Sequence, residues 1–181
     1  MAEVIELERF RQKVAADHGF RTWLQRFREQ FGPDTRFKDL SDPTLLFLAT
    51  PGEENLFVLI DLVMGVQGLG DSTRFRLDDL ETSAKQNILD LSLGLLDRAR
   101  FEVMRRLGWV TAMPNEELSL IQLVEEARQP GGDSTLPPPP LSPQHPQFAV
   151  YQSLPARDQG IFLRRLIPAA VIEFRRRLEG P

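Results

Sequence analysis

"LDLSLGLLDRARFEVMRRLGWV", residues 89–110, decides the reading of the fold. Its apolar residues recur three and four apart, the spacing of an amphipathic helix. The helix is expected to begin at "TSAKQ", where Ser83 as N-cap and Gln86 three residues on form a capping box. Gly108 is its expected stop. At about 100° per residue, Arg100 falls between Leu89, Leu96 and Leu107 on one side and Leu93 and Met104 on the other. A guanidinium is thus expected in the middle of an apolar face.

Similar helical segments flank this one. Residues 3–31 carry two apolar stripes, Leu7, Phe10, Val14 and Ala15, then Phe20, Trp23, Leu24, Phe27 and Phe31. "DHG" at 17–19 marks a break between them, and Gly32-Pro33 a firm end. Ser41 or Asp42 with Pro43 opens a short helix. Glu53 and Glu54 begin the next, whose run Leu56–Val66 is apolar on every face except at Asp61, the pattern of a buried helix. Gly65, Gly68 and Gly70 mark its end, and residues 114–128 form a further helix capped by Asn115.

The composition then changes. "QPGGDSTLPPPPLSPQHPQ", residues 129–147, excludes a helix interior because proline fixes φ and removes a donor. Pro137, Pro138, Pro139 and Pro140 read as a polyproline II spacer or, less favoured, as a ligand for a partner's aromatic groove. Helical periodicity returns in "PARDQGIFLRRLIPAAVIEFRRRLEGP", where one apolar stripe including Phe162, Leu166 and Phe174 continues through Pro168, as in a kinked helix. The expectation is an all-α chain: an irregular bundle of about five helices over 1–128, a flexible linker over 129–147, and an amphipathic C-terminal helix over 148–181. That last helix would dock on the core or on a partner.

Composition narrows the function classes. The chain has 181 residues and no cysteine, which excludes thiolate catalysis and sulfur-ligated metal sites. No signal-like start or membrane-length apolar run is visible, so a soluble cytoplasmic protein away from membranes is expected. The net charge of −4 gives no global attraction to nucleic acid. Both termini are nevertheless basic, and arginine outnumbers lysine 19 to 3.

Arg100 and Asp61 are the most informative residues. A buried charge is tolerable only when paired and hydrogen-bonded. Asp61 is the first candidate partner for Arg100, and Asp97 one turn earlier the second. A structural pair is the preferred reading; a polar pocket for an anion is the alternative. Arginine–phenylalanine alternation recurs at 9–11, 26–28, 36–38, 74–76, 100–101 and 174–177. It could contact phosphates and bases, yet helical geometry points each phenylalanine inward, and Arg175, Arg176 and Arg177 suit a helix C-terminus. Neither histidine has a triad or metal arrangement, Gly65–Gly70 lacks a dinucleotide-binding context, and nothing calls for a cofactor or metal.

The favoured function is a non-enzymatic interaction protein that binds another protein or itself, through Phe162, Leu166, Phe174 and the proline run. A nucleic-acid-associated protein is the alternative. A ligand-binding helical bundle with an Asp/Arg site is the third reading.

Overall fold

A computed structural model describes residues 2–70, 77–129 and 137–180, with side chains from Val4 onward. The described chain is all-α. Its helices are α1 (Ala2–Gly19), α2 (Arg21–Phe27), α3 (Asp42–Ala49), α4 (Glu53–Val66), α5 (Thr82–Arg106), α6 (Leu120–Arg128), α7 (Phe148–Ser153) and α8 (Ala156–Glu179), with 3-10 turns at Phe37–Asp39 and Leu77–Asp79. Among the described residues the extended pairing is limited to one isolated bridge, Val110 with Leu141.

The break expected near residues 17–19 is present, and it divides the first stretch into α1 and α2. The second piece stops earlier than the sequence suggests. Arg28 adopts a left-handed conformation, φ 55°, and ends α2 at Phe27. Phe31 still reaches the core outside any helix, its ring centroid 5.2 Å from Phe20 and 5.4 Å from Trp23. Trp23 is fully buried and its indole N–H donates to the Val58 carbonyl at 2.8 Å, fixing α2 on α4.

Two caps also differ. Glu81, not Ser83, precedes α5, and it makes no side-chain cap. The helix over 114–128 is shorter than expected: Asn115 takes φ 54°, and the capping box is Ser119 with Gln122 at the start of α6. Ser41 caps α3 as expected, its hydroxyl accepting from the Thr44 amide at 3.3 Å.

Helix α4 is buried along most of its length, as its all-round apolar sequence requires. Gly65 lies inside it rather than ending it. A Cβ there would meet the His18 carbonyl oxygen at 2.5 Å and the Gly19 Cα at 2.7 Å, so the glycine permits α1 and α4 to cross backbone to backbone. Helix α5 packs against α3, α4 and α8, which accounts for apolar residues on more than one of its sides.

Residues 137–147, expected as free linker, are held against the core. The Thr111 amide donates to the Pro140 carbonyl at 3.2 Å, and the Ser142 amide to the Trp109 carbonyl at 2.7 Å. Leu141 is fully buried, and the His145 ring contacts Trp109 with centroids 5.0 Å apart. The expected free linker fails here because two backbone hydrogen bonds and a buried leucine give this stretch a docking site. Residues 130–136 lie outside the described residues. Helix α8 runs unbroken through Pro168 and packs on α3 and α5.

Candidate functional site

Along α5 the residues Ile88, Leu95 and Ala99 define the core side, and all are buried. Arg100 follows Ala99 by about 100° and is therefore only half-buried. Its expected partner is not Asp61. Arg100 Nη1 lies 4.0 Å from Asp97 Oδ1, and its Nε donates to the Ala49 carbonyl at 3.4 Å. Asp61 is buried on another side of the bundle, where it lines a cavity with Thr22, Gln25 and Arg26 of α2. The wheel misled because α5 has neighbours on several sides, so the middle of its apolar residues is not the middle of the core.

A different charge occupies the interior. Arg98 is 6% exposed, and its Nε and Nη2 are buried without a hydrogen-bond partner. Burial pushes the guanidinium down to about 10, while Glu126 of α6 pulls it partly back. It remains cationic at neutral pH. Four residues on, Glu102 is 2% exposed but well satisfied. It accepts from Arg105 at 2.7 Å through both oxygens and from Arg106 Nε at 3.0 Å. Arg106 also pairs with Asp42 and donates to the carbonyls of Phe37, Lys38 and Leu40. Arg106 is thus a staple between α5 and the chain leading into α3, whereas Arg98 staples nothing.

Arg98 lines a cavity of about 470 Å³ between α5, α8 and the docked proline segment. Its charged wall is Asp90, Asp97, Arg98, Arg100 and Arg164. Leu93, Leu96, Phe101, Met113, Pro114 and Pro137 supply the apolar wall. Arg164 of α8 places Nε and Nη2 each 3.0 Å from Asp97 Oδ2, with its guanidinium 5.9 Å from the Phe101 ring centre. Buried guanidinium among apolar side chains suits an anion. Among the described residues no group of three or more metal-ligating side chains converges.

Comparison with protein-family models, with curated proteins and with solved structures finds no match.

The other expected site residues fall as follows. Phe174 is buried, and Phe162 and Leu166 are half-buried against the chain's own core. Their apolar face packs in part on the chain's own core. Pro137 is exposed and lines the cavity, Pro138 packs at Gly160, Pro139 is buried, and Pro140 is exposed with its carbonyl accepting the Thr111 amide. Arg175 donates to Thr50 Oγ1 at 3.3 Å, and Arg176 and Arg177 pair with Glu173 at 3.0 and 3.4 Å. In the arginine–phenylalanine series Phe37, Phe101 and Phe174 are buried and Phe27 packs on the core, while Phe10 is exposed. The copy at 74–76 lies outside the described residues. No helix among the described residues is long and apolar enough to cross a membrane.

Proposed function

We propose that this chain is a non-catalytic helical binding protein whose α5–α8 cavity takes a small organic anion. The observation that carries the reading is Arg98: a buried guanidinium, two of its nitrogens without a hydrogen-bond partner, on the wall of a cavity of about 470 Å³. An unpaired buried charge destabilises a fold by several kcal/mol. An anion bound beside it offsets that cost and stabilises the folded state by mass action. The cavity lies within the size range of small-molecule sites, and its mix of apolar wall and few polar groups is typical of them.

The test is a thermal-unfolding series with small organic anions against their uncharged analogues. The reading expects the anions to raise the midpoint in a saturable, concentration-dependent way, and Arg98→Met to abolish the effect. Equal effects of charged and uncharged compounds would contradict it.

A second reading, a helical interaction protein, is supported by α1. Residues 4–11 are exposed all along this helix, and Val4, Ile5, Leu7 and Phe10 are among them, with Phe10 63% exposed. An amphipathic helix of this kind suits a hydrophobic groove on a partner or on a second copy. Replacing Leu7 and Phe10 by serine should then abolish self-association or partner capture while leaving the unfolding midpoint unchanged. Unaltered association in that variant removes this reading.

A further inference from the structure

Resting on the anion-binding reading of the cavity, we infer that its ligand is a monocarboxylate with an apolar body, a single carboxylate on a short hydrocarbon chain or ring, rather than a phosphate ester.

Three observations converge. The first is the edge of Arg98 that lacks partners. Nε and Nη2 together form the side of a guanidinium that donates two parallel N–H bonds to the two oxygens of one carboxylate. The second is charge. The lining holds three arginines, Arg98, Arg100 and Arg164, against two aspartates, Asp90 and Asp97, a surplus of one positive charge. Asp97 already engages both Arg164 and Arg100, so the surplus resides on Arg98. One negative charge balances it, whereas a phosphate dianion would bring a second charge with no surplus positive charge to meet it. The third is the remainder of the wall, where Leu93, Leu96, Phe101, Met113, Pro114 and Pro137 offer apolar surface to a hydrocarbon.

Nε and Nη2 are themselves buried, so the carboxylate reaches them only if a neighbouring side chain moves. Arg98 and Met113 both line this cavity and a neighbouring one of about 20 Å³, so they form the wall between the two. The unbranched methionine side chain can swing aside at low cost and let the carboxylate reach Nε and Nη2.

The experiment is isothermal titration of the full chain with octanoate, 2-naphthoate, 1-octanol and inorganic phosphate. Octanoate and 2-naphthoate separate a flexible chain from a flat ring as the source of the apolar body. At least one of them is expected to bind saturably, one per chain. 1-Octanol should bind at least tenfold more weakly and phosphate should show no saturation. Arg98→Met should weaken the carboxylate at least tenfold. Leu93→Trp, a substitution at an exposed position on the cavity wall, should block binding while preserving the fold, so the test stands even if Arg98→Met fails to fold. Saturable binding of phosphate with equal or higher affinity would overturn the carboxylate assignment and leave the anion cavity standing. Binding of 1-octanol as tight as octanoate, or no binding of any anion, would overturn both.

Discussion

Arg164 on α8 and Asp97 on α5 meet through two nitrogens on one carboxylate oxygen, each at 3.0 Å, and this contact ties the C-terminal helix to the edge of the cavity. It also decides which arginine is left over. Asp97 is adjacent to Arg98 in sequence, but its carboxylate faces Arg164 and Arg100. Asp97→Asn should therefore remove a competing negative charge from the cavity wall and tighten octanoate binding by roughly fivefold, a change of about 1 kcal/mol. Both side chains of the Arg164 pair are partly solvated, so the stability lost should stay below about 1 kcal/mol. Titration calorimetry and urea unfolding on the same variant check the two halves; weaker octanoate binding would contradict the charge argument.

Arg98 should lower the stability of the fold in which it sits. Arg98→Met removes an unpaired buried charge and should raise stability by about 1–3 kcal/mol, read as a higher unfolding midpoint. The pH dependence follows from burial, which lowers its pKa to about 10 in the folded chain, well below the ordinary guanidinium value that holds in the unfolded chain. Between those values the unfolded chain binds more protons at this site, so raising the pH favours the folded state. The destabilisation by Arg98 is complete below about pH 10 and shrinks above it. The stability advantage of the methionine variant should accordingly be the same at pH 7 and pH 8 and smaller at pH 11. An advantage that is constant with pH would show that Arg98 has a partner in the fold.

Gly65→Ala tests the α1–α4 crossing. Alanine in a helix interior is ordinarily better than glycine by about 1 kcal/mol. Here the new Cβ would meet backbone atoms of His18 and Gly19 at 2.5–2.7 Å, which no side-chain rotation can relieve. The two helices must part, and a net loss of roughly 2–3 kcal/mol is expected in chemical denaturation. A stabilised variant would mean that the crossing is looser than described.

Arg106→Met removes the staple from Glu102 and Asp42 to the carbonyls of Phe37, Lys38 and Leu40. It leaves polar groups unsatisfied around a buried carboxylate, and the expected loss is about 2–4 kcal/mol. The contrast with Arg98 is the point of the experiment. Two arginines eight residues apart on one helix should respond to the same substitution with opposite signs.

Much of the fold is legible in the sequence because local chemistry dictates it. Ser41–Asp42–Pro43 opens α3, Glu53–Glu54 opens α4, and the all-apolar run after them is buried. What is not legible depends on neighbours distant in sequence. Arg100 looks central on a helical wheel, yet only the packing of α3, α4 and α8 around α5 shows that Ala99 holds that place and that Arg98 is the buried cation. Gly65 reads as a terminator until α1 lies across it. The proline run reads as a tether because its composition forbids a helix, and composition carries no trace of the Trp109 and Thr111 backbone groups that receive it. One signal was available: Glu102 with Arg105 and Arg106 three and four residues on is an ion-pair spacing visible in the sequence. Nothing in the sequence marks Arg98, which differs from Arg100, Arg105 and Arg106 in being buried with Nε and Nη2 lacking a hydrogen bond.

The most direct test of the account follows the Arg98 side chain itself. In a titration with octanoate, the Nε–Hε resonances of the arginines are recorded by 1H–15N correlation and assigned by Arg98→Lys. The account predicts that the Arg98 resonance moves saturably and farther than any other, with Arg100 and Arg164 shifting less. Saturation shifts confined to the exposed Arg175, Arg176 and Arg177, with Arg98 unmoved, would contradict it.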